Sequence, residues 1–505
     1  MTLPFDPLRP THFANSKWQP LTGPARDVID PATLQVVGRI TDPSSGEIDN
    51  VLQLANSAQV GWAALDAKSR ANYLHQLANH IEAANPQMVA ALMSREVGKP
   101  YAEAVGEMAN IASVFRYYAE LARDDGGQVA GTTQSGSFQY QRYFPYGVSV
   151  HILPYNFPLL LMAWTVAASL AAGNAVVIKP AEASTLSTLA YMQHFCVLPP
   201  GLVSCVPGGA MVAKSLIASD RIHAVAFTGS VAIGAQVAEA CAGSYKPCVI
   251  EAGGNDPLIV MDSAPVDIAA AGTATAAFHL SGQICTSAER IFVHEKIHDA
   301  FVEALVARAR TLRIGNGLAA TEIGPLVSEA ARTKVTQLVD SAIAAGARLE
   351  CGGRIPPQHP TGWFFEPTVL TGVTPEMAIM NTEVFGPVAP ICKVRNFDEA
   401  ILLANRSRFG LGASIFTTRL DEAMAAVERL EAGMVWVNNP LIDNDALSFG
   451  GWKQSGLGRA LGRLGLDAFR RSKMGVIDPV PALQSWWYPY PETVFYPGEI
   501  TPKDK

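Results

Sequence analysis

The chain has 505 residues, more than one hydrophobic core supports, so two or more domains are expected. Hydrophobic residues make up 49% and charged residues 16%, which excludes an intrinsically disordered chain. The net charge is −7 and no Lys/Arg block occurs, so neither nucleic acid nor an anionic membrane has electrostatic support as a partner.

In chain order, the first forty residues are Pro-rich and irregular, with Asp30-Pro31-Ala32-Thr33 as a turn. From about Ile48 to Asp125 the pattern predicts long amphipathic helices. Leu77, His80, Ile81 and Ala84 carry the spacing of one helical face. Between Gln128 and Tyr146 polar residues alternate with Phe138, Tyr140 and Tyr143, which predicts a long polar hairpin in need of a partner surface. From Val148 to Pro257 strands and helices alternate in the rhythm of a parallel, doubly wound sheet, with strands at 148–153, 175–178, 202–206, 224–227 and 248–250. A second α/β block follows from about Leu258 to Val437, with strands near 291–293, 388–394 and 434–437. The tail Trp486-Trp487-Tyr488-Pro489-Tyr490-Pro491 is aromatic and Pro-rich, and is expected to pack on a surface rather than form a helix.

The stretch Leu159 to Ile178 has no charged residue and the length of a membrane span. Pro158, the Gly173-Asn174 break and the run Val176-Val177-Ile178 divide it instead into a buried helix and a buried strand. The seven cysteines are scattered and form no C-x-x-C pair, which argues against a disulfide framework or zinc cluster and for a reducing compartment. The first residues carry neither a basic nor an apolar leader segment, so a cytoplasmic location is expected.

The chemistry concentrates in two segments. Cys285 stands in Gly282-Gln283-Ile284-Cys285-Thr286-Ser287, and Glu251 opens Glu251-Ala252-Gly253-Gly254-Asn255 34 positions upstream. A thiol can form a covalent intermediate and a carboxylate can activate a water to release it. A lone cysteine is more often a packing residue, so the pairing carries the argument. Ala226-Phe227-Thr228-Gly229-Ser230 ends a strand and opens a helix, whose N-terminal N–H groups attract phosphate. Lys179 and Glu182 follow a parallel strand, where ribose hydroxyls bind in sheets of this kind.

The thiol and acid segments, with Pro154-Tyr155-Asn156-Phe157-Pro158, Glu383-Val384-Phe385-Gly386-Pro387, Phe449-Gly450-Gly451 and Lys453-Gln454-Ser455-Gly456, occur in the order of the aldehyde dehydrogenase superfamily, which the chain resembles from about residue 20 to 475. Tyr155 and Ala252 stand where the family often has Trp and Leu. The resemblance implies an α/β fold with a Rossmann-like cofactor domain (1–127 and 147–257), a second α/β catalytic domain (258–455) and a small β oligomerisation element (128–146 and 470–505). It implies Cys285 as nucleophile, Asn156 with the Cys285 N–H as oxyanion hole, and Glu251 as the base that hydrolyses the thioester. Lys179 and Glu182 are implied at the adenosine ribose, Phe227, Gly229 and Ser230 near the pyrophosphate, and Glu383 and Phe385 at the nicotinamide. A carboxylate at Glu182 accepts from both ribose hydroxyls and repels a 2′-phosphate, so NAD is expected over NADP, with some leak to NADP because Lys179 is adjacent.

By family position Phe157, Trp164, Phe278, Ile284, Thr286 and Phe449 line the aldehyde channel. Such a channel suits a medium-sized apolar or aromatic aldehyde. Asp443, Asp445 or Glu107 at its mouth would suit a cationic aminoaldehyde instead. A CoA-acylating enzyme of this kind typically lacks the glutamate that Glu251 supplies. His294-Glu295-Lys296-Ile297-His298 matches H-E-x-x-H, but a strand is expected to run directly into His294, which would separate the two histidines from a shared helical face and leave no metal site. A homodimer or homotetramer is expected, with a small-molecule aldehyde as the other partner.

Overall fold

The computed structural model describes residues 3–134, 136–490, 496 and 498. It forms two compact units, one of Met1–Asp125 with Phe144–Arg471 and one of Gly126–Tyr143 with Ser472–Lys505.

The first unit holds two large sheets. In the first, Cys248–Ala252, Ala224–Gly229, Val148–Ile152, Ala175–Lys179 and Val203–Cys205 lie side by side in that order and run parallel. Gly456–Leu457 closes one edge antiparallel, and the hairpin Thr11–Ala14 and Lys17–Pro20 closes the other. Val148–Ile152 and Ala175–Lys179 are buried at every residue. This is why their sequences read as continuous runs: a parallel sheet covered by helices on both faces has no solvent side. The uncharged stretch from Leu159 resolves as the helix Pro158–Ala172, ended by left-handed Gly173, and the strand Ala175–Lys179. Among the described residues no helix is long and apolar enough to cross a membrane.

The second sheet orders Arg348–Cys351, Thr368–Thr371, Val388–Val394, Ala288–His294, Asp256–Val260, Gly412–Phe416 and Met434–Val437, parallel except for the first. Its alternation is explicit. Leu258, Val260, Ile291 and Val293 enter one core cluster, while Ile259 and Phe292 enter the other. Successive side chains point to opposite faces, and both faces are covered.

Five helices occupy residues 45–124. The first, Ser45–Ala64, starts on a capping box in which Ser44 Oγ accepts from Glu47 N and Glu47 accepts from Ser44 N. Helix Ala67–Ala83 buries Ala71, Leu74, Leu77, Ala78 and Ile81, but His80 is exposed and Ala84 lies past its end. The expected face is thus rotated: Leu74 and Ala78, not His80, complete it.

The second unit holds most of a three-stranded sheet in the order Arg470–Ile477, Phe138–Pro145, Gly127–Val129. Gly127, Gln128 and Val129 pair antiparallel with Arg142, Gln141 and Tyr140. Its apolar side chains face water: Val129, Phe138, Met474, Val480 and Leu483 are exposed, with Trp486 at 65% and Tyr488 at 80%. Residues 491–495 of the aromatic tail lie outside the described residues.

Candidate active site

The parallel strands of the first sheet deliver polar groups to one edge. Val148–Ile152 leads to Asn156, Ala175–Lys179 ends on Lys179 with Glu182 shortly after, and Cys248–Ala252 carries Glu251. Ala224–Gly229 runs into Ser230, which caps helix Val231–Ala242 by accepting from Ile233 N at 3.4 Å. The carboxyl edge of such a sheet and a capped helix N-terminus are where nucleotides bind. Cys285 arrives from the second block, in the segment between helix Val266–Phe278 and strand Ala288–His294. Glu383 and Phe385 precede strand Val388–Val394.

One cavity of about 1240 Å³ unites them. Asn156, Glu251 and Cys285 line it, and so do Lys179, Glu182, Phe227, Gly229, Ser230, Glu383 and Phe385. Its volume exceeds the usual range for a drug-sized ligand, roughly 300–1000 Å³. Apolar walls from Ala213, Ile217, Ile233 and Val237, with Lys179, Glu182 and the capped helix end, fit a dinucleotide.

The glycines of both signatures are spatial requirements. A Cβ on Gly253 would lie 2.3 Å from Glu383 Oε1, and one on Gly254 would lie 2.3 Å from the Cys285 carbonyl. Gly282 has φ +72° and its Cβ would meet the Gly386 carbonyl at 2.1 Å. Leu280 and Ser281 are also left-handed, so three successive residues hold a strained turn just before the thiol. Glu103 and Ser281 tie the turn down: Leu280 N donates to Glu103 Oε2 at 3.1 Å, and Ser281 Oγ donates to the Gly324 carbonyl at 2.8 Å. Phe385, left-handed at φ +55°, is held likewise, since its N–H and that of Val384 donate to Glu289 at 2.7 and 2.8 Å. Glu289 follows the thiol in sequence, so one carboxylate joins the thiol strand to the Phe385 segment.

The electrostatics suit a two-stage reaction. Burial raises the Glu251 carboxyl to about 7, against smaller pulls from the Cys285 thiol and Thr228 hydroxyl that face it. Neither of its oxygens has a hydrogen-bond partner of ordinary geometry, as expected of a group kept available for water. Burial pushes the Cys285 thiol well above its ordinary value, and the charge of Glu251 adds to this. Burial raises Glu383 to about 8, with Glu289 and Glu251 contributing and Lys334 opposing. Burial lowers Lys179, while Glu182 and Asp42 pull it back up.

Several residues invisible to motif reading hold this arrangement. Asn156 Nδ2 donates to the Gln283 carbonyl at 2.9 Å, and its own carbonyl accepts from Lys99 Nζ at 2.8 Å. Lys99 pairs with Glu107 at 2.5 Å with both side chains fully buried. Glu107 also accepts from Leu159 N and Leu160 N at 2.8 and 3.0 Å, at the start of helix Pro158–Ala172. Glu107 is therefore an interior clamp on the Asn156 segment and not a group at the channel mouth. Gln283, wholly buried, accepts from Tyr155 Oη at 3.2 Å and Val327 N at 2.9 Å.

The expected channel residues separate. Trp164 and Phe449 pack ring to ring at 4.7 Å, and Trp164 shares a water-sized pocket with Glu251. Ile284 and Thr286 are buried on either side of Cys285. Phe157 lies with its ring 3.7 Å from Lys99 Nζ. Phe278 does not join them. It ends its helix inside the core cluster of the second sheet, and the next residue, His279, is the half-exposed one, 3.2 Å from Glu103. Asp443 is solvent-exposed yet crowded by protein, which raises it to about 6 with help from Asp445, and its charge acts on Glu251. His294 ends a strand while His298 begins the next helix, so the two share no helical face. Among the described residues no group of three His, Cys, Asp or Glu could hold a metal ion.

A thiol and a carboxylate thus line one dinucleotide-sized cavity between two mainly parallel sheets. The sequence model of the aldehyde dehydrogenase family matches residues 18–474, and the chain belongs to this family. It is 37% identical to retinaldehyde dehydrogenase 3 of Rattus norvegicus, over 91% of each chain. It is 33% identical to betaine aldehyde dehydrogenase of Bacillus subtilis, over 92% of this chain and 96% of the other. Betaine aldehyde dehydrogenase from Staphylococcus aureus, solved with NAD+, superposes with a TM-score of 0.91 at 30% identity, covering 95% and 97% of the two chains. An E. coli NADP-dependent enzyme superposes with a TM-score of 0.90 at 34% identity, covering 93% and 98%.

Proposed function

We propose that this chain oxidises an aldehyde to the free carboxylic acid with NAD, through a covalent intermediate on Cys285. The observation that carries the reading is that Cys285, Glu251 and Asn156 share one cavity with Lys179, Glu182 and Ser230. The Cys285 sulfur adds to the aldehyde carbon, and the Asn156 amide and Cys285 N–H stabilise the resulting oxyanion. Bound NAD supplies the hydride acceptor. Glu251 then takes a proton from water as that water attacks the thioester, which releases acid and thiol. Hydrolysis, rather than transfer to coenzyme A, follows from the presence of Glu251, and turnover without coenzyme A tests it. The seven free cysteines support a reducing, cytoplasmic setting.

The Trp164–Phe449 pair beside Glu251 supports a medium-sized apolar or aromatic aldehyde. The negative charge of Asp443, which acts on Glu251, favours a second reading, a cationic aldehyde such as betaine aldehyde. A kcat/KM panel of hexanal, phenylacetaldehyde, 4-aminobutanal and betaine aldehyde decides between them. Preference for the first two supports the apolar reading, and for the last two the cationic one.

NAD is proposed over NADP on the position of Glu182 in the cavity. Glu182→Ser is expected to raise kcat/KM for NADP relative to NAD by at least about tenfold, which needs only about 1.4 kcal/mol. A wild type that already prefers NADP would remove Glu182 from the ribose.

We propose that the second unit joins copies of this chain into a homodimer or homotetramer. Its exposed apolar side chains, from Val129 to Trp486, are unsuited to water. Light scattering is expected to give a dimer or tetramer for the full chain and a smaller species after truncation past Ala482. A full-length monomer refutes the assembly.

A further inference from the structure

Two cysteines that the proposed reaction does not use meet at the far end of the first sheet. Cys241 sits in the last turn of helix Val231–Ala242, and Cys248 opens strand Cys248–Ala252. The chain reverses between them over residues 242–247, and the neck of this loop is fixed on both sides. The Cys241 carbonyl accepts from Ser244 N at 3.2 Å and from Lys246 N at 3.0 Å. The Pro247 carbonyl accepts from Val225 N at 3.0 Å, and Cys248 stands in register with Val225. The two thiols face each other across the neck, joined by a side-chain hydrogen bond. That bond sets them apart: the Cys241 thiol is pushed up, and the Cys248 thiol is held down at about 7 against the effect of burial. Cys241 is buried and Cys248 half-buried, so the pair is approached from the Cys248 side. Both belong to elements of the active site. Ile233, Gln236, Val237 and Ala240 of the helix line its cavity, and Glu251 stands three residues after Cys248.

We propose that Cys241 and Cys248 are a redox-modification site, closed to an intrachain disulfide by glutathione disulfide. The Cys248 thiolate attacks one sulfur of the oxidant. The S–S bond of the oxidant breaks, a mixed disulfide forms on Cys248, and the departing glutathione thiolate takes a proton from solvent. Cys241 then gives its proton to solvent as its sulfur attacks that of Cys248, and the second glutathione leaves as a thiolate that is protonated in turn. The dithiol loses two electrons and two protons, and two glutathione thiols gain them. The roles follow the asymmetry of the pair: the thiol that ionises near neutrality attacks, and the buried, protonated one resolves. The loop accommodates the closure. Tyr245 at its tip is left-handed and 95% exposed, so its ring packs in no core that would hold the tip as the sulfurs approach. Exposure alone would select a different residue. Cys196 is the exposed cysteine, yet its thiol is raised and not lowered.

The test incubates the full-length protein at near-neutral pH in glutathione buffers of increasing disulfide content. The remaining thiols are blocked after acid quenching, and each cysteine is mapped by digestion and mass spectrometry. A Cys241–Cys248 product that lacks two hydrogens and takes no blocking group is expected, formed at least about tenfold faster than any adduct on Cys196. Cys241→Ser is expected to accumulate glutathione on Cys248, because the resolving sulfur is missing, and Cys248→Ser to leave Cys241 reduced. Should a serine variant fail to fold, the alanine variant carries the same expectation, and the wild-type measurement needs neither. A pair that keeps both hydrogens when Cys196 is fully converted, or that stops at the mixed disulfide, overturns the proposal. So does a folded Cys241→Ser variant whose Cys248 stays unmodified.

Discussion

Cys285→Ala is expected to abolish aldehyde oxidation, with turnover at or below the background of the assay, while NAD still binds. Nothing else in the cavity can take the place of the sulfur. The other cysteines are not among the cavity-lining residues, and a serine hydroxyl at 285 would be a far weaker nucleophile than a thiolate. The thiol's own pKa is raised by burial and by Glu251, so the resting group is protonated and becomes a thiolate only as the proton leaves. Fluorescence titration with NAD beside a steady-state assay checks both halves. Substantial activity in the alanine variant would sink the nucleophile.

Glu251→Gln is expected to give a burst of about one NADH per site and then turn over about a thousandfold more slowly, since the general base is gone while the thiol and oxyanion donors remain. Removal of the carboxylate also removes a neighbouring negative charge, so the burst shifts to lower pH relative to wild type. With Glu251 as the base of the hydrolytic step, its wild-type rate is expected to rise with pH through about 7 and flatten above. Stability moves the opposite way. The unfolded carboxyl ionises from about pH 4.5, the folded one from about 7, so unfolding releases a proton between them and stability falls across that window. The ionised form costs roughly 3 kcal/mol, and Glu251→Gln should therefore melt higher than wild type at pH 8. A variant with no burst would place Glu251 before hydride transfer, and one with full turnover would remove it from the mechanism.

What could be read from the chain was what lies in consecutive residues. The thiol, the acid and the strand-to-helix turn at Ser230 each sit in a short run whose local pattern is distinctive. The clamps could not be read, because their partners are distant. Lys99 reaches Asn156 across 57 positions, and Glu289 reaches Phe385 across 96. Arg26, on a separate two-stranded hairpin of Arg26–Ile29 and Val36–Ile40, likewise meets Glu182 from far along the chain. Phe278 shows the limit at a single position. The helix ends at Phe278, and His279, with ψ 136°, leaves the helical path, so one step separates the core from a partly exposed side chain. His80 differs: each residue turns a helix by about 100°, which puts it outside the face of the buried Ile81 next to it.

The gap between the two sheets is set by hydrogen atoms. At Gly253 and Gly254 a single methyl would collide with a carboxylate from one side and with the thiol's own carbonyl from the other. Tolerance to substitution along Glu251-Ala252-Gly253-Gly254 should then split by volume rather than by chemistry. A random library across these positions ought to yield well-folded, inactive chains at 251 and poorly expressed ones at 253 and 254. The residue that performs the reaction would be the replaceable one, and the residues with no side chain would be those the fold does not release.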